Sequence, residues 1–240
     1  MKNPLAGDAY AIQQGQALFR LSCSFCHGMD ARGGSRGPDL TSSRRTHGDS
    51  DAALFRTITK GVPGTEMPPN DLKDDEVWMV IAFLRSVSAG SAAPVPGNRE
   101  AGEKIFFGSG ICFQCHMVNG KGGRLGPDLS RAGAARSTRH LIESIRDPNK
   151  EIPQGYETVS VATKDGRRLT GVRKNEDTFS IQFMDASEQL HLLLKKDVRE
   201  VTYERNSLMP AFSEQMLSEK DLQDLLAYLD GLRGGKGEQR

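Results

Sequence analysis

Apolar residues recur with helical spacing near the start and near the end of each half of the chain. Residues 15–19 match residues 102–106, and residues 81–84 match residues 226–229. Each half is therefore predicted to begin and end with a similar amphipathic helix. One glycine and two aromatic residues would form the helix crossing in each half: Gly15, Phe19 and Phe83, then Gly102, Phe106 and Tyr228.

The second half also contains alternating polar and apolar residues, the pattern of half-buried strands. Residues 178–183 and 189–192 alternate in this way, and Asp165-Gly166 between two apolar runs is a hairpin signal. Together with the helices, these patterns predict a mainly α chain with a small antiparallel β insertion at about 150–204.

The composition leaves two domain cores short of apolar material. Only 37% of the residues are hydrophobic and 6% aromatic, so we expect that an apolar component is missing from the amino-acid list. Lysine and arginine (32) nearly balance aspartate and glutamate (31), which argues against nucleic acid as a partner. The longest apolar run, residues 77–84, is far shorter than the ~20 residues of a membrane span, so no span is expected.

All four cysteines lie in two copies of one five-residue pattern, Cys-x-x-Cys-His. The copies comprise Cys23, Cys26 and His27, then Cys112, Cys115 and His116. Two thiols on one helical turn can add to the two vinyl groups of a single haem, and the imidazole that follows then lies under the iron. We therefore predict two covalently attached c-type haems, with the two histidines as iron ligands.

Two other uses of paired cysteines fit less well. A thioredoxin-like redox pair gives no reason for a histidine directly after the second cysteine. A zinc ribbon places its cysteine pairs about 15 to 20 residues apart, and the two pairs in this chain are much farther apart. Since both haems together would use all four thiols, none remains for a structural disulfide or for thiolate ligation of iron.

The segment Gly-Pro-Asp-Leu follows both motifs at the same distance, at residues 37–40 and 126–129. The chain is therefore interpreted as a tandem duplication. Small residues and proline dominate residues 91–97, which is the composition of a linker. We predict a first domain at 1–90, the linker at 91–97 and a second domain at 98–240.

Each repeat resembles a class I c-type cytochrome domain, with an N-terminal helix, the Cys-x-x-Cys-His motif, a Gly-Pro segment, a Met-Pro loop and a C-terminal helix. The resemblance implies a fold of two tandem class I cytochrome c domains. It also implies that the carbonyl groups of Pro38 and Pro127 accept the second N–H of the proximal imidazoles.

A methionine stands ahead of the predicted C-terminal helix in each half. Met67 lies in Glu-Met-Pro-Pro and Met209 lies in Ser-Leu-Met-Pro. A thioether opposite the histidine favours ferrous iron, and the proline that follows stiffens the loop. We predict Met67 and Met209 as the sixth iron ligands. Three other histidines are possible competitors, but we expect them to be ordinary surface residues: His47, His140 and His191.

The second half also resembles a haem-binding module of environmental bacteria. In that module a phrase like that of residues 145–149 and a strand-rich insert precede Ser-Leu-Met-Pro. The module is often fused to sugar-dehydrogenase-like proteins, so the resemblance implies an electron acceptor near a dehydrogenase. The β insertion would screen one edge of the second haem, form a docking surface, or be a neutral addition.

These features favour a periplasmic di-haem cytochrome c that carries single electrons. The expected partners are redox proteins: a dehydrogenase or other donor, and a cytochrome or oxidase acceptor. A di-haem peroxidase is one alternative, but it needs an iron with an open distal position, and the two Met-Pro loops argue against that. A haem-based redox or gas sensor is another, and it would also need a labile ligand.

Location and docking are inferred less directly. Haem is attached to thiols outside the bacterial inner membrane, so we expect export. Residues 1–4 begin no signal peptide, and we therefore expect that a leader was removed. Seven arginines are candidate docking charges: Arg32, Arg36, Arg44, Arg45, Arg131, Arg136 and Arg139.

Overall fold

The computed structural model describes residues 1–33, 36–41, 45, 47–88 and 95–233. Within these residues the chain forms eight α-helices and a five-stranded sheet. Two compact units are present. One consists of Met1–Pro94 with Gly133–Thr138, and the other of Val95–Ala132 with Arg139–Arg240.

The first unit is built on two helices that cross at a glycine. Its helices are α1 (Ala9–Ser22), α2 (Ser24–His27), α3 (Asp51–Lys60) and α4 (Asp74–Ser88). A Cβ atom at Gly15 would lie 2.0 Å from the carbonyl oxygen of Met79, so only glycine permits this approach of α1 to α4. The rings of Phe19 and Phe83 pack beside the crossing, with centroids 5.3 Å apart. The predicted crossing is confirmed.

The second unit repeats this arrangement. Its long helices are α5 (Arg99–Phe107) and α8 (Glu219–Asp230). Between them in the chain lie α6 (Ala132–Ala135), most of which belongs to the first unit, and α7 (Thr138–Arg146). A Cβ atom at Gly102 would lie 2.0 Å from the carbonyl oxygen of Asp224. The rings of Phe106 and Tyr228 are 5.6 Å apart, as the sequence predicts.

The β-rich part of the second unit is one antiparallel sheet. Two short strands, β1 (Met117–Val118) and β2 (Lys121–Gly122), form a separate hairpin. The sheet contains β3 (Thr158–Thr163), β4 (Arg168–Glu176), β5 (Ser180–Asp185), β6 (Leu190–Leu194) and β7 (Val198–Tyr203). The predicted hairpin at Asp165-Gly166 joins β3 to β4 and is confirmed. The strand order is β6-β5-β4-β3-β7, so the last strand returns to pair with the first.

The sheet has a small core of its own. Val159, Val161, Ile181 and Phe183 are fully or almost fully buried on one face. β6 is an edge strand, and its pairing with β5 sets His191 opposite Phe183, where the two rings stack 5.0 Å apart. In the part of the chain that is described, no helix combines the length and apolar character needed to cross a bilayer.

Candidate haem-binding sites

The first Cys-x-x-Cys-His motif lies at the end of α1. The amide of Cys23 donates to the carbonyl of Phe19 at 2.8 Å, and the amide of His27 donates to the carbonyl of Cys23 at 3.0 Å. Both thiols and the imidazole therefore belong to one continuous helical turn. The anchoring of α1 at the glycine crossing fixes the position of this turn, and His27 is only 7% exposed.

The second motif has the same hydrogen bond on a tighter turn. Cys112–Gln114 form a 3-10 turn, and the amide of His116 donates to the carbonyl of Cys112 at 2.9 Å. The four cysteines form no disulfide. Burial raises the pKa of Cys23 and of Cys112 to about 11, so both thiols are protonated at neutral pH. Burial and the charge of Glu188 also raise the pKa of Cys115.

A proline carbonyl contacts the imidazole in both halves. Nδ1 of His27 lies 3.0 Å from the carbonyl oxygen of Pro38, and Nδ1 of His116 lies 2.9 Å from that of Pro127. A carbonyl oxygen can only accept, so Nδ1 carries the proton and the lone pair of Nε2 is left for a metal. Burial lowers the pKa of both histidines, which favours the neutral ring that metal ligation requires.

A glycine before each proline makes room for the imidazole. A Cβ atom at Gly37 would lie 2.7 Å from Nδ1 of His27, and one at Gly126 would lie 2.6 Å from Cε1 of His116. The amides of Gly37 and Gly126 also donate to the carbonyls that precede the histidines, at 3.0 and 2.8 Å. The sequence alone predicted no role for these glycines, although the repeated Gly-Pro pair was the signal that marked them.

Each methionine loop contains a hydroxyl group whose role was not predicted from the sequence. The amide of Met67 donates to Oγ1 of Thr65 at 3.2 Å, and the amide of Met209 donates to Oγ of Ser207 at 3.0 Å. In both loops the hydroxyl stands two residues before the methionine and the proline stands one residue after it. The backbone of each methionine is therefore held by the same kind of local hydrogen bond, and both side chains are half-buried.

Removing these hydroxyls should loosen the methionine loops. We expect Ser207→Ala and Thr65→Val each to lower the free energy of unfolding by about 1 kcal/mol, because a backbone amide loses its acceptor. Thermal denaturation of the haem-loaded protein measures this change. Ser213→Ala is the control, since its hydroxyl contacts only the exposed side chain of Gln215. Equal melting temperatures for Ser207→Ala and Ser213→Ala would contradict the expected role of Ser207.

The structure brings Met209 and Cys112 to one small apolar cavity. The cavity is lined by Gly110, Cys112, Ile145, Met209, Phe212, Leu217 and Leu225. A proposed attachment thiol and a proposed axial ligand thus face the same space. Met67 lies in the same unit as His27, in a loop that passes close to Gly61, where a Cβ atom would meet the carbonyl oxygen of Met67 at 2.5 Å.

The competing histidines are placed as ordinary residues. His191 bonds to a carboxylate oxygen of Asp185 at 2.7 Å and stacks on Phe183, while His47 is exposed. His140 lies half-buried in α7.

The prediction that Arg45 is a docking charge is wrong. The side chain of Arg45 is only 8% exposed, because it donates to the carbonyl of Leu40 at 2.7 Å and to the hydroxyl of Ser88 at 2.6 Å. Arg45 is therefore a structural residue of the first unit. Arg44 lies outside the described residues.

These residues fit a c-type haem. In each half a helical turn carries two free thiols, and the next residue is an imidazole whose Nε2 lone pair is available. Gly37 and Gly126 form a glycine cradle for each imidazole ring, because neither has a side chain that would displace the ring. In the second half an apolar cavity adjoins the first thiol. The donor set thus suits covalent haem attachment, with an imidazole nitrogen available to the iron.

Two family models match the chain, one on each half. Residues 10–84 match "Cytochrome C oxidase, cbb3-type, subunit III", and residues 100–170 match "Cytochrome c". Each match spans one Cys-x-x-Cys-His motif.

Three curated relatives each match half of the chain or less. The CcoP subunit of the cbb3-type cytochrome c oxidase of Rubrivivax gelatinosus is 34% identical over 49% of this chain and 38% of its own length. The FixP subunit of Sinorhizobium medicae is 29% identical over 48% of this chain and 42% of its own length. Cytochrome c-L of Methylorubrum extorquens is 36% identical over 37% of this chain and 46% of its own length. The chain thus spans less than half the length of these relatives.

A solved structure, cytochrome cL of Methylophaga aminisulfidivorans, is 39% identical over 38% of this chain and 62% of its own. The TM-score of this match is 0.35. The chain is assigned by the two family matches and by the repeated motif, in which the imidazole is hydrogen-bonded to a proline carbonyl. Together they identify the chain as a di-haem c-type cytochrome with covalently bound haems.

Proposed function

We propose that each half of the chain is a class I cytochrome c domain that binds one haem. The domains are proposed at 1–90 and 98–240, with 91–97 as the linker. The attachment and proximal residues are those of the two motifs: Cys23, Cys26 and His27, then Cys112, Cys115 and His116. The observation that carries the proposal is the repeated contact from the proline carbonyl to Nδ1, because it orients Nε2 in both halves.

We further propose Met67 and Met209 as the distal ligands. The matching hydroxyl contacts of their amides support this role, as does the cavity that Met209 shares with Cys112. When bound, the haem iron supplies a site that accepts and releases one electron. The chain's own residues hold the imidazole neutral and in one orientation, keep apolar groups around the second site, and position the thioethers.

The proposed role is to carry single electrons between a dehydrogenase or other donor and a respiratory acceptor in the periplasm. The similarity to oxidase subunits and to cytochrome c-L supports a redox protein on both sides of the transfer. The two methionine loops have the same construction, which supports a sixth ligand for the iron in both halves. An iron with six ligands suits an electron carrier better than a peroxidase. Export is proposed because covalent attachment takes place outside the inner membrane.

Mass spectrometry and absorption spectra test this function. The denatured chain from a cell that matures c-type cytochromes should carry two added haems. The oxidised protein should show the Met-to-iron charge-transfer band, with no turnover of peroxide. Met67→Ala and Met209→Ala should each remove part of that band and lower one reduction potential by roughly 100 mV or more. A chain without added haem, or one high-spin iron with peroxide turnover, would overturn the proposal.

A further inference from the structure

The turn between β5 and β6 contacts the loop that follows the second haem motif. The carboxylate of Glu188, which lies in this turn, accepts a hydrogen bond from the backbone amide of Arg124. Its other oxygen lies 3.4 Å from Nε of Arg124. The side chain of Glu188 is 28% exposed, so it is partly withdrawn from water. The β insertion therefore reaches the motif loop through an anionic side chain.

That loop in turn packs directly on the motif. The amide of Gly123 donates to the carbonyl of Phe113 at 2.8 Å. A Cβ atom at Gly123 would lie 2.1 Å from the carbonyl oxygen of Gln114 and 2.8 Å from Oε1 of Glu188. Gly123 thus fills the space between the carboxylate and the residues between Cys112 and Cys115, and no side chain would fit there. The negative charge is held one backbone layer away from the attachment segment.

The backbone conformation at Glu188 is one that favours glycine over glutamate. The amide of Asp185 donates to the carbonyl of Gln189 at 3.0 Å and closes a loop of three residues. The third residue of such a loop adopts a left-handed conformation, which glycine takes most readily. Glu188 occupies it with φ +64°. The chain accepts this conformation with a glutamate, whose carboxylate then bonds to Arg124.

Two cations lie near this carboxylate: the guanidinium group of Arg124, which forms an ion pair with it, and the ammonium group of Lys174. Nζ of Lys174 is 3.5 Å from the carbonyl of Arg124 and 4.7 Å from the centroid of the Tyr156 ring. The ring and the carbonyl both attract the ammonium group, so Lys174 closes the other side of the loop. The loop is therefore clamped between an anionic and a cationic side chain, both from the β sheet.

We propose that Glu188 is a positioning residue that tunes the second haem: its carboxylate holds the motif loop and lowers the reduction potential of that haem. A negative charge stabilises the ferric form over the ferrous form, because the ferric form carries one more positive charge. The described residues of the first unit contain no sheet that could make a contact of this kind. The first haem therefore serves as the internal reference.

This proposal rests on the proposed attachment of a haem to Cys112 and Cys115. The experiment uses the full chain with both haems. The reduction potential that shifts in Met209→Ala is assigned to the second haem. Glu188→Gln keeps the shape and an oxygen acceptor for Arg124 but removes the charge. Glu188→Gly relaxes the turn and removes both. The control is Glu200→Gln, which removes an exposed charge from β7, the strand at the opposite edge of the sheet.

Potentiometric titration gives the readout. At a fixed solution potential, Glu188→Gln should raise the ratio of reduced to oxidised second haem by roughly three- to tenfold, the size expected for one charge at a partly solvated site. Glu188→Gly should raise it at least as much, although the turn itself is relieved. The first haem should not change in either variant, and Glu200→Gln should change neither haem.

The outcomes separate the two proposals. If wild-type protein carries only one haem, or none, the proposed function fails. If both haems are present and neither Glu188 variant shifts the second potential, the tuning role is overturned and Glu188 is only a turn residue. A shift of equal size with Glu200→Gln would also overturn it, because the effect would then come from net charge and not from this contact.

Discussion

Gly37→Ala and Gly126→Ala are expected to displace the proximal imidazole and to weaken haem binding in one half at a time. The new methyl group would lie 2.7 Å from Nδ1 of His27 in the first case and 2.6 Å from Cε1 of His116 in the second. Each imidazole must move by several tenths of an ångström, which stretches its hydrogen bond to the proline carbonyl. We expect the free energy of unfolding to fall by about 1–3 kcal/mol.

The measurement combines thermal denaturation with absorption spectra of the purified haem protein. Each variant should show increased high-spin character in one haem and unchanged spectra in the other. Gly155→Ala is the control, since nothing lies within 4 Å of its Cβ position and only backbone strain is added at φ +84°. Fully low-spin spectra in Gly37→Ala and Gly126→Ala, with wild-type melting temperatures, would be inconsistent with a glycine cradle.

Gly15→Ala and Gly102→Ala are expected to be the most destabilising substitutions in the helices. On an exposed helical face, replacing glycine by alanine stabilises by about 1 kcal/mol. Here the added methyl would lie 2.0 Å from a carbonyl oxygen of the crossing helix, so the helices must separate. Their separation also loosens the aromatic contact beside each crossing. We expect a net loss of about 3 kcal/mol in each case.

Chemical denaturation with urea provides this value for each variant. Gln13→Ala and Lys104→Ala are the matched controls, because both positions are exposed on the same helices and introduce alanine without a clash. The controls should be neutral or slightly stabilising. If Gly15→Ala and Gly102→Ala behaved like the controls, the close helix crossing would not exist in solution.

The contact of Glu188 also bears on the role of the β insertion. Screening of the second haem, docking and neutrality were all open from the sequence. The hydrogen bond of Glu188 to the motif loop favours an effect on the second haem, since the turn reaches the residues next to the attachment segment. The exposed leucines at positions 190, 192 and 194 show that β6 keeps one apolar face in water.

Local sequence patterns determined the haem motifs, the helix crossings and the β hairpin. Cysteines and a histidine within five residues define an attachment turn whatever surrounds them, because one helical turn brings them together. The hairpin at Asp165-Gly166 and the glycine crossings at Gly15 and Gly102 are equally local, since glycine permits what other residues forbid. The duplication strengthened the inferences on the motifs and the helix crossings, because both occur twice, whereas the hairpin occurs once.

Only the tertiary structure decided which distant residues meet. Alternation alone would bury Leu190, Leu192 and Leu194, yet the pairing with β5 turns His191 inward onto Phe183. The return of β7 to β3, the burial of Arg45 and the contact of Glu188 with Arg124 likewise join residues far apart in the chain. A single sequence carries no record of such pairs, because their energy depends on packing and register and not on neighbouring residues.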